Sequence, residues 1–192
     1  SAHVRTGRIS WRTPNLVLDI NNYLISESGV LVLMGNVPNP DGGYLSQIMA
    51  LDSKNGQELW SFDKYSFSSF ATAASLGEGL VFVPFILGND NEQTSYLMVA
   101  LDLNKGTIAW EQSFDMANSI QLIRPVLSKR VVAINGGSEK LGGIHAFDIH
   151  TGAVVTPKEN IEPVQIETVR FYKDYIFTVS QNNGVLDLNA LL

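Results

Sequence analysis

ALDSKNGQELW (50–60) returns almost unchanged as ALDLNKGTIAW (100–110). Two weaker copies flank them, SAHVRTGRISW (1–11) and AFDIHTGAVVT (146–156). Their marker glycines are Gly7, Gly56, Gly106 and Gly152, at intervals of 49, 50 and 46 residues. A fixed period of this length is the sequence signature of a repeat architecture.

Each copy reads as strand, tight turn, strand. An alternating or apolar run precedes the turn: SQIMAL, YLMVAL, GGIHAF. The Asp that follows (Asp52, Asp102, Asp148) can accept hydrogen bonds from backbone N–H groups two or three residues on, which nucleates a turn. The Gly four positions later supplies the positive φ that such a turn demands. QELWSF and TIAWEQ then alternate again, as strands do. The Trp is a large apolar body with one polar handle, suited to sealing a seam between packed layers.

Two further strand-like runs lie upstream of each hairpin. They are NYLISE (22–27) with VLVLMG (30–35), ATAASL (71–76) with LVFVPF (80–85), and QLIRPVL (121–127) with RVVAIN (130–135). Each unit is thus a meander of four short antiparallel strands, A to D. No segment carries helical periodicity, and Gly and Pro punctuate at strand spacing. Four-stranded sheets repeated every forty to fifty residues predict an all-β fold, a β-propeller of about four blades in this chain.

The pattern A-x-D-x-x-x-G-x-x-x-W resembles the tryptophan-docking motif of the PQQ-like, quinoprotein-type β-propeller repeat family. It is complete at 50–60 and 100–110. The last copy keeps Ala146, Asp148 and Gly152 but has Thr156 for Trp, and the first keeps Gly7 and Trp11 but has Ser1 for Ala and His3 for Asp. The resemblance spans 1–192 as one propeller domain or propeller fragment. It implies that Trp11, Trp60 and Trp110 pack between neighbouring blades and carry no chemistry. Quinoprotein dehydrogenases of this type bring a vicinal disulfide and calcium-binding carboxylates around the quinone, and this chain has no cysteine.

The two ends are in complementary phase. RISWR (8–12) reads as a strand D with no A to C before it. The tail supplies strand A near 164–171, strand B near 175–180 and strand C near 184–188, with no D after it. Two closures fit. The chain can close on itself as a four-bladed ring, or it is half of a seven- or eight-bladed ring, completed by further sequence or by a second copy in a homodimer.

Composition narrows the function. The net charge is −6, and the thirteen basic residues form no cluster, so nothing here would replace counterions on nucleic-acid phosphate. The absence of cysteine removes disulfides, thiolate metal sites and Cys nucleophiles. The longest apolar run, GLVFVPFILG (79–88), is about half of what a membrane-spanning helix needs. His3, His145 and His150 lack a third ligand type at metal spacing and are expected in turn or strand-surface roles. GNDNEQ (88–93) clusters oxygens but lacks the alternating acids and late Glu of a calcium loop. No G-x-S-x-G elbow and no phosphate-binding glycine loop occurs.

A binding face is nevertheless expected. A–B and C–D turns read as tight, whereas the B–C loops (36–44, 88–95, 136–142) and D–A links (61–70, 112–121, 157–163) read as longer. These six segments hold eight acids against three bases, a net of −5. Aromatics interrupt them. Asp41, Tyr44, Tyr65, Phe67, Asp90 and Glu92 are the candidate partner-binding residues, suited to a protein or peptide of basic character. The plain alternative is that the loops are simply polar and the aromatics cover blade edges. No cofactor, metal or catalytic residue is assigned. The leading expectation is a non-catalytic scaffold in an extracytoplasmic (periplasmic, envelope or secretory) assembly. The alternatives are half of a quinone- or metal-dependent oxidoreductase, or a propeller that senses a small ligand or sugar.

Overall fold

A computed structural model describes residues 10–12, 18–65, 69–70, 74–87, 95–115, 124–135, 144–155, 165–172, 175–182 and 185–191. Every regular element among them is a β-strand. The first sheet is a meander of β1 (Asp19–Ile25), β2 (Val30–Pro38), β3 (Tyr44–Asp52) and β4 (Glu58–Phe62). The second is β5 (Ser69–Phe70), β6 (Ser75–Gly77), β7 (Leu80–Leu87), β8 (Ser95–Asp102) and β9 (Ile108–Asp115). β5 and β6 both pair with β7 on the same edge, in the place of strand A. The third sheet is β10 (Val126–Leu127), β11 (Val131–Asn135) and β12 (Ile144–Asp148), and the fourth is β13 (Gln165–Tyr172), β14 (Tyr175–Asn182) and β15 (Val185–Leu191). All pairings are antiparallel.

The sheets follow one another like blades about an axis. β1 touches β6, β6 touches β10, and β10 touches β13, so each A strand meets the next. Apolar side chains fill the gaps between consecutive sheets. Val32, Met34 and Ile48 of the first sheet meet Val83, Phe85 and Val99 of the second. On its other face the second sheet sends Phe82, Met98 and Phe114 against Ile134 and Phe147 of the third. Ala133, Ile144 and Ala146 then meet Phe171 of the fourth. This two-sided burial explains why β7 is apolar without alternation: both of its faces are core.

The repeated hairpin is built as its sequence predicts. Gly56, Gly106 and Gly152 have φ of +75°, +68° and +72°. The N–H groups of Asn104 and Lys105 donate to Asp102 Oδ1 at 2.9 Å, and those of His150 and Thr151 donate to Asp148 Oδ1 at 3.1 and 2.9 Å. Lys54 N–H donates likewise to Asp52 Oδ1 at 2.7 Å. Asp148 is held below the usual carboxylate range by the backbone N–H and then the hydroxyl of Thr151. A bulge follows the first two of these turns: Ala50 pairs with Trp60 but Leu51 with Glu58, and Ala100 with Trp110 but Leu101 with Ile108. The extra residue re-aims the Trp out of its own sheet.

Each indole lands on the hairpin of the following sheet. Nε1 of Trp11, Trp60 and Trp110 donates to the carbonyls of Ser53, Leu103 and Ile149 at 2.8, 2.8 and 3.0 Å. The ring lies over the turn glycine. A Cβ on Gly106 would sit 2.5 Å from the Trp60 ring, and one on Gly152 would sit 2.6 Å from the Trp110 ring. Each glycine is thus demanded twice, by its own φ and by its neighbour's indole.

Several segments differ from the sequence expectation. The loop expected over 36–44 is mostly ladder: β2 and β3 pair out to Pro38 and Tyr44, leaving 39–43 as the turn. Pro38 itself lies within β2, opposite Tyr44. β15 extends to Leu191, beyond the expected end of strand C near 188. Within the described residues, strand D of the third sheet is reduced to a bridge between Phe147 and Val154. Among the described residues, 10–12 belong to no strand, and β15 pairs with β14 alone.

Candidate functional site

Hydrogen bonds tie A–B and C–D turns together within each of the first three sheets. Ser53 N–H donates to Gly29 O, Leu103 N–H to Gly79 O, and Ile149 N–H to Arg130 O, at 2.8 to 2.9 Å. Those turns therefore share one end of each of these sheets, and the B–C and D–A segments leave from the other.

On the B–C and D–A end, Asp41 and Tyr44 sit together on the β2–β3 hairpin. Asp41 is exposed, and its backbone N–H donates to Asn39 Oδ1 at 3.1 Å. Tyr44 is 70% exposed, the largest exposure among the large apolar and aromatic side chains described. Gly42 and Gly43 between them have φ of +103° and +79° and nothing within 4 Å of a would-be Cβ. The hairpin thus presents an acid and an aromatic on an uncrowded turn.

Tyr65 is built in. Its half-buried ring lies 5.2 Å from Phe85 and 6.0 Å from Phe62. Its hydroxyl donates to Glu111 Oε2 at 2.5 Å, and Lys64 Nζ reaches the same oxygen at 2.9 Å while lying 4.9 Å above the Tyr65 ring. The link after the first sheet is thereby clamped to β9 of the second. Hydrogen bonds from Tyr65 and then Lys64 hold the Glu111 carboxyl below its ordinary range. Burial, followed by the hydrogen bond to Glu111, pushes the Tyr65 phenol up. The sequence singled out Tyr65 without revealing Glu111, which lies 46 residues away. The other candidates, Phe67, Asp90 and Glu92, lie outside the described residues, as do the 88–93 segment and His3.

The opposite end holds a feature that the sequence did not announce. A cavity of about 950 Å³ opens where A–B turns of the first two sheets meet strand A of the third. Glu27, Glu78 and Arg124 bring charge to its wall, and Leu24, Leu76 and Leu127 bring apolar surface. Ser75, buried at its base, donates its hydroxyl to the Pro125 carbonyl. Glu78 has φ of +50° between two glycines, the one non-glycine residue with positive φ among those described. The GEG spelling at 77–79 was the only available signal.

His145 is half-buried on β12 with its ring 5.0 Å from that of Phe114, and His150 is exposed in its turn. Among the described residues no three His, Asp or Glu side chains gather as metal ligands would, and no helix there is long and apolar enough to cross a membrane.

The family described as outer membrane protein assembly factor BamB matches residues 2–190. No curated protein sequence matches the chain significantly. Among solved structures, BamB from Moraxella catarrhalis superposes with a TM-score of 0.54 at 23% identity, over 83% of this chain and 46% of that one. The quinohemoprotein alcohol dehydrogenase of Comamonas testosteroni gives 0.54 at 16% identity, over 84% and 29%. The β-propeller domain of the Trilobed protease of Pyrococcus furiosus gives 0.53 at 11% identity, over 90% and 52%. At these identities the likeness shows the propeller fold, and the chain spans about half or less of each relative.

Proposed function

Because this chain belongs to the family described as outer membrane protein assembly factor BamB, we propose that it is a non-catalytic propeller scaffold that binds protein in an extracytoplasmic assembly. The family match over 2–190 carries the reading. The allocation of residues supports it. The repeated Asp, Gly and Trp are all consumed by hairpins and docking, so recognition falls to the parts that vary between repeats. Among these, the acid and aromatic of the β2–β3 hairpin stand free in solvent. An exposed Tyr beside a carboxylate suits a basic segment, the phenol packing on its side chains and the acid meeting its charge.

The test is fluorescence anisotropy with a labelled Arg- and aromatic-rich peptide, at low and high salt. Asp41→Lys with Tyr44→Ala should weaken binding at least tenfold and leave the melting temperature within a degree or two. Equal affinity in the variant would move the interface elsewhere. Stoichiometric uptake of pyrroloquinoline quinone with Ca²⁺ by calorimetry would overturn the non-catalytic reading in favour of an oxidoreductase.

A further inference from the structure

We propose that Asn55 is a self-modification site, and that the Trp11 indole docked on the next residue holds its chemistry back. An asparagine followed by glycine readily loses its side-chain amide. The deprotonated backbone nitrogen of the glycine adds to the Asn Cγ, ammonia leaves, and a five-membered succinimide closes. Water then opens that ring at either carbonyl, giving aspartate or isoaspartate. Glycine favours the closure because it has no Cβ to hinder its nitrogen. Asn–Gly occurs at 55–56, 135–136 and 183–184, and 55–56 is the pair with both residues described.

Asn55 is exposed on the turn between β3 and β4. One contact favours reaction there. Gln57 N–H donates to Asn55 Oδ1 at 2.8 Å, which polarises the carbonyl that the nitrogen attacks. Two contacts oppose it. Gly56 N–H donates to the Asp52 carbonyl at 2.7 Å, so the nucleophile keeps both its proton and its place in the turn. Closure also requires the 55–56 peptide plane to rotate, and Gly56 has no room to follow, because the Trp11 ring lies so close that even a Cβ there would overlap it. That ring is fastened by the Nε1–H bond to the Ser53 carbonyl at 2.8 Å. Asn55 is thus activated at its carbon and restrained at its neighbour's nitrogen. Reaction proceeds through local opening of the turn, and release of the indole permits that opening.

The hairpin itself does not require asparagine. Lys105 and Thr151 hold the same place before Gly106 and Gly152, and neither can form a succinimide. Thr151 even supplies the matching contact, accepting at Oγ1 from Ala153 N–H at 3.3 Å. The product has a structural consequence. Isoaspartate routes the main chain through Cβ, which lengthens the turn by one bond. The two backbone bonds that close the turn, Gly56 N–H to Asp52 O and Asp52 N–H to Gln57 O at 2.7 and 2.8 Å, then lose their common geometry. Gly56 leaves its place beneath the indole. The change runs one way, from a docked Trp11 to a loosened contact between the 10–12 segment and the first sheet.

Peptide mapping of the folded chain, after incubation in warm, mildly alkaline buffer, reads Asn, Asp and isoaspartate at position 55. The unmodified chain should convert at least tenfold more slowly than the free peptide ALDSKNGQELW. Trp11→Ala should bring the rate close to that of the peptide. Trp110→Ala removes the like contact on the Ile149 turn and controls for general loss of stability, so position 55 should stay slow in it. A transplant repeats the test elsewhere: Lys105→Asn places an Asn–Gly pair beneath Trp60, where it should be slow until Trp60→Ala frees it. An unmodified chain that converts as fast as the peptide overturns the proposal, as does a Trp11→Ala chain no faster than the unmodified one. Equal acceleration by Trp11→Ala and Trp110→Ala overturns it too, because conversion would then follow global unfolding and not the docked indole.

Discussion

Gly79 and Gly106 make a controlled pair. Their φ values are nearly equal, +74° and +68°. They differ in what lies above them: nothing within 4 Å of a Cβ at Gly79, the Trp60 indole at 2.5 Å at Gly106. Gly79→Ala should therefore cost only the left-handed backbone term, about 1–2 kcal/mol. Gly106→Ala pays that and also displaces the indole. The displaced ring forfeits its Nε1–H bond to the Leu103 carbonyl, worth about 1 kcal/mol. It also re-exposes part of a side chain now only 7% exposed. Complete loss of such a Trp costs about 3–5 kcal/mol, so partial displacement is set at about 2–3 kcal/mol including the hydrogen bond. The expected difference between the variants is then about 2–3 kcal/mol, or about 5–10 °C in melting temperature for a chain of this size. Urea denaturation followed by Trp fluorescence measures both. A double-mutant cycle closes the reasoning: with Trp60→Ala present, Gly106→Ala should fall back to about 1–2 kcal/mol. Equal costs for the two glycine substitutions, or no coupling to Trp60, would refute the account of the motif.

Two further perturbations probe the hairpin and the clamp. Asp148 has a folded pKa below its unfolded one, so its ionised form stabilises the fold above the unfolded value of about 4, and that contribution fades as pH falls through the folded pKa. The thermal stability gap between the unmodified chain and Asp148→Asn should accordingly shrink below about pH 4, and a gap constant from pH 7 to pH 3 would contradict this. Glu111→Gln weakens two charge-assisted contacts at once, yet Glu111 and Lys64 are largely exposed, so unfolding should shift only slightly. Its sharper effect is on Tyr65, whose ionisation should move down toward the ordinary range without reaching it, because burial is the larger cause of its elevation. Site-resolved NMR titration of the phenol reads this directly; no movement would place the elevation wholly in burial.

Legibility from sequence followed the range of the interaction. The Asp–Gly hairpin was readable because its hydrogen bonds span two to four residues, and its glycine φ follows from the turn itself. The indole's role was readable as a class, a seam-sealing group, from its period. Strand ends were less readable, because register is fixed by partners distant in sequence. Pro38 looks like a strand breaker, yet β2 runs through it and pairs it with Tyr44. LDLN occurs at 101–104 and again at 186–189, but the first is the turn and the second lies within a strand, with Asp187 opposite Ser180. The true counterpart of Ala100 is Ala190, which pairing alone reveals. The Glu111 clamp and the cavity were invisible for the same reason: each joins residues about fifty apart that share no local pattern.

The repeat also explains why the frame speaks so much more loudly than the function. A docking indole contributes to folding only if the next blade presents a bare glycine under it, so Trp and Gly must recur together at one period, and that recurrence is visible in a single sequence. A binding surface faces a partner that does not repeat, so nothing forces its residues to recur. Asp41 and Tyr44 have no counterpart at the same place in the next B–C segment, GNDNEQTS (88–95), whose aromatic follows as Tyr96, buried against Phe114. The same side-chain type is thus core in one repeat and solvent-facing in its neighbour. Where a repeat breaks its own rule by exposing what its sisters bury, stability does not account for the residue. Tyr23 and Ile25 meet that criterion, on a blade face whose equivalent in the second sheet is buried.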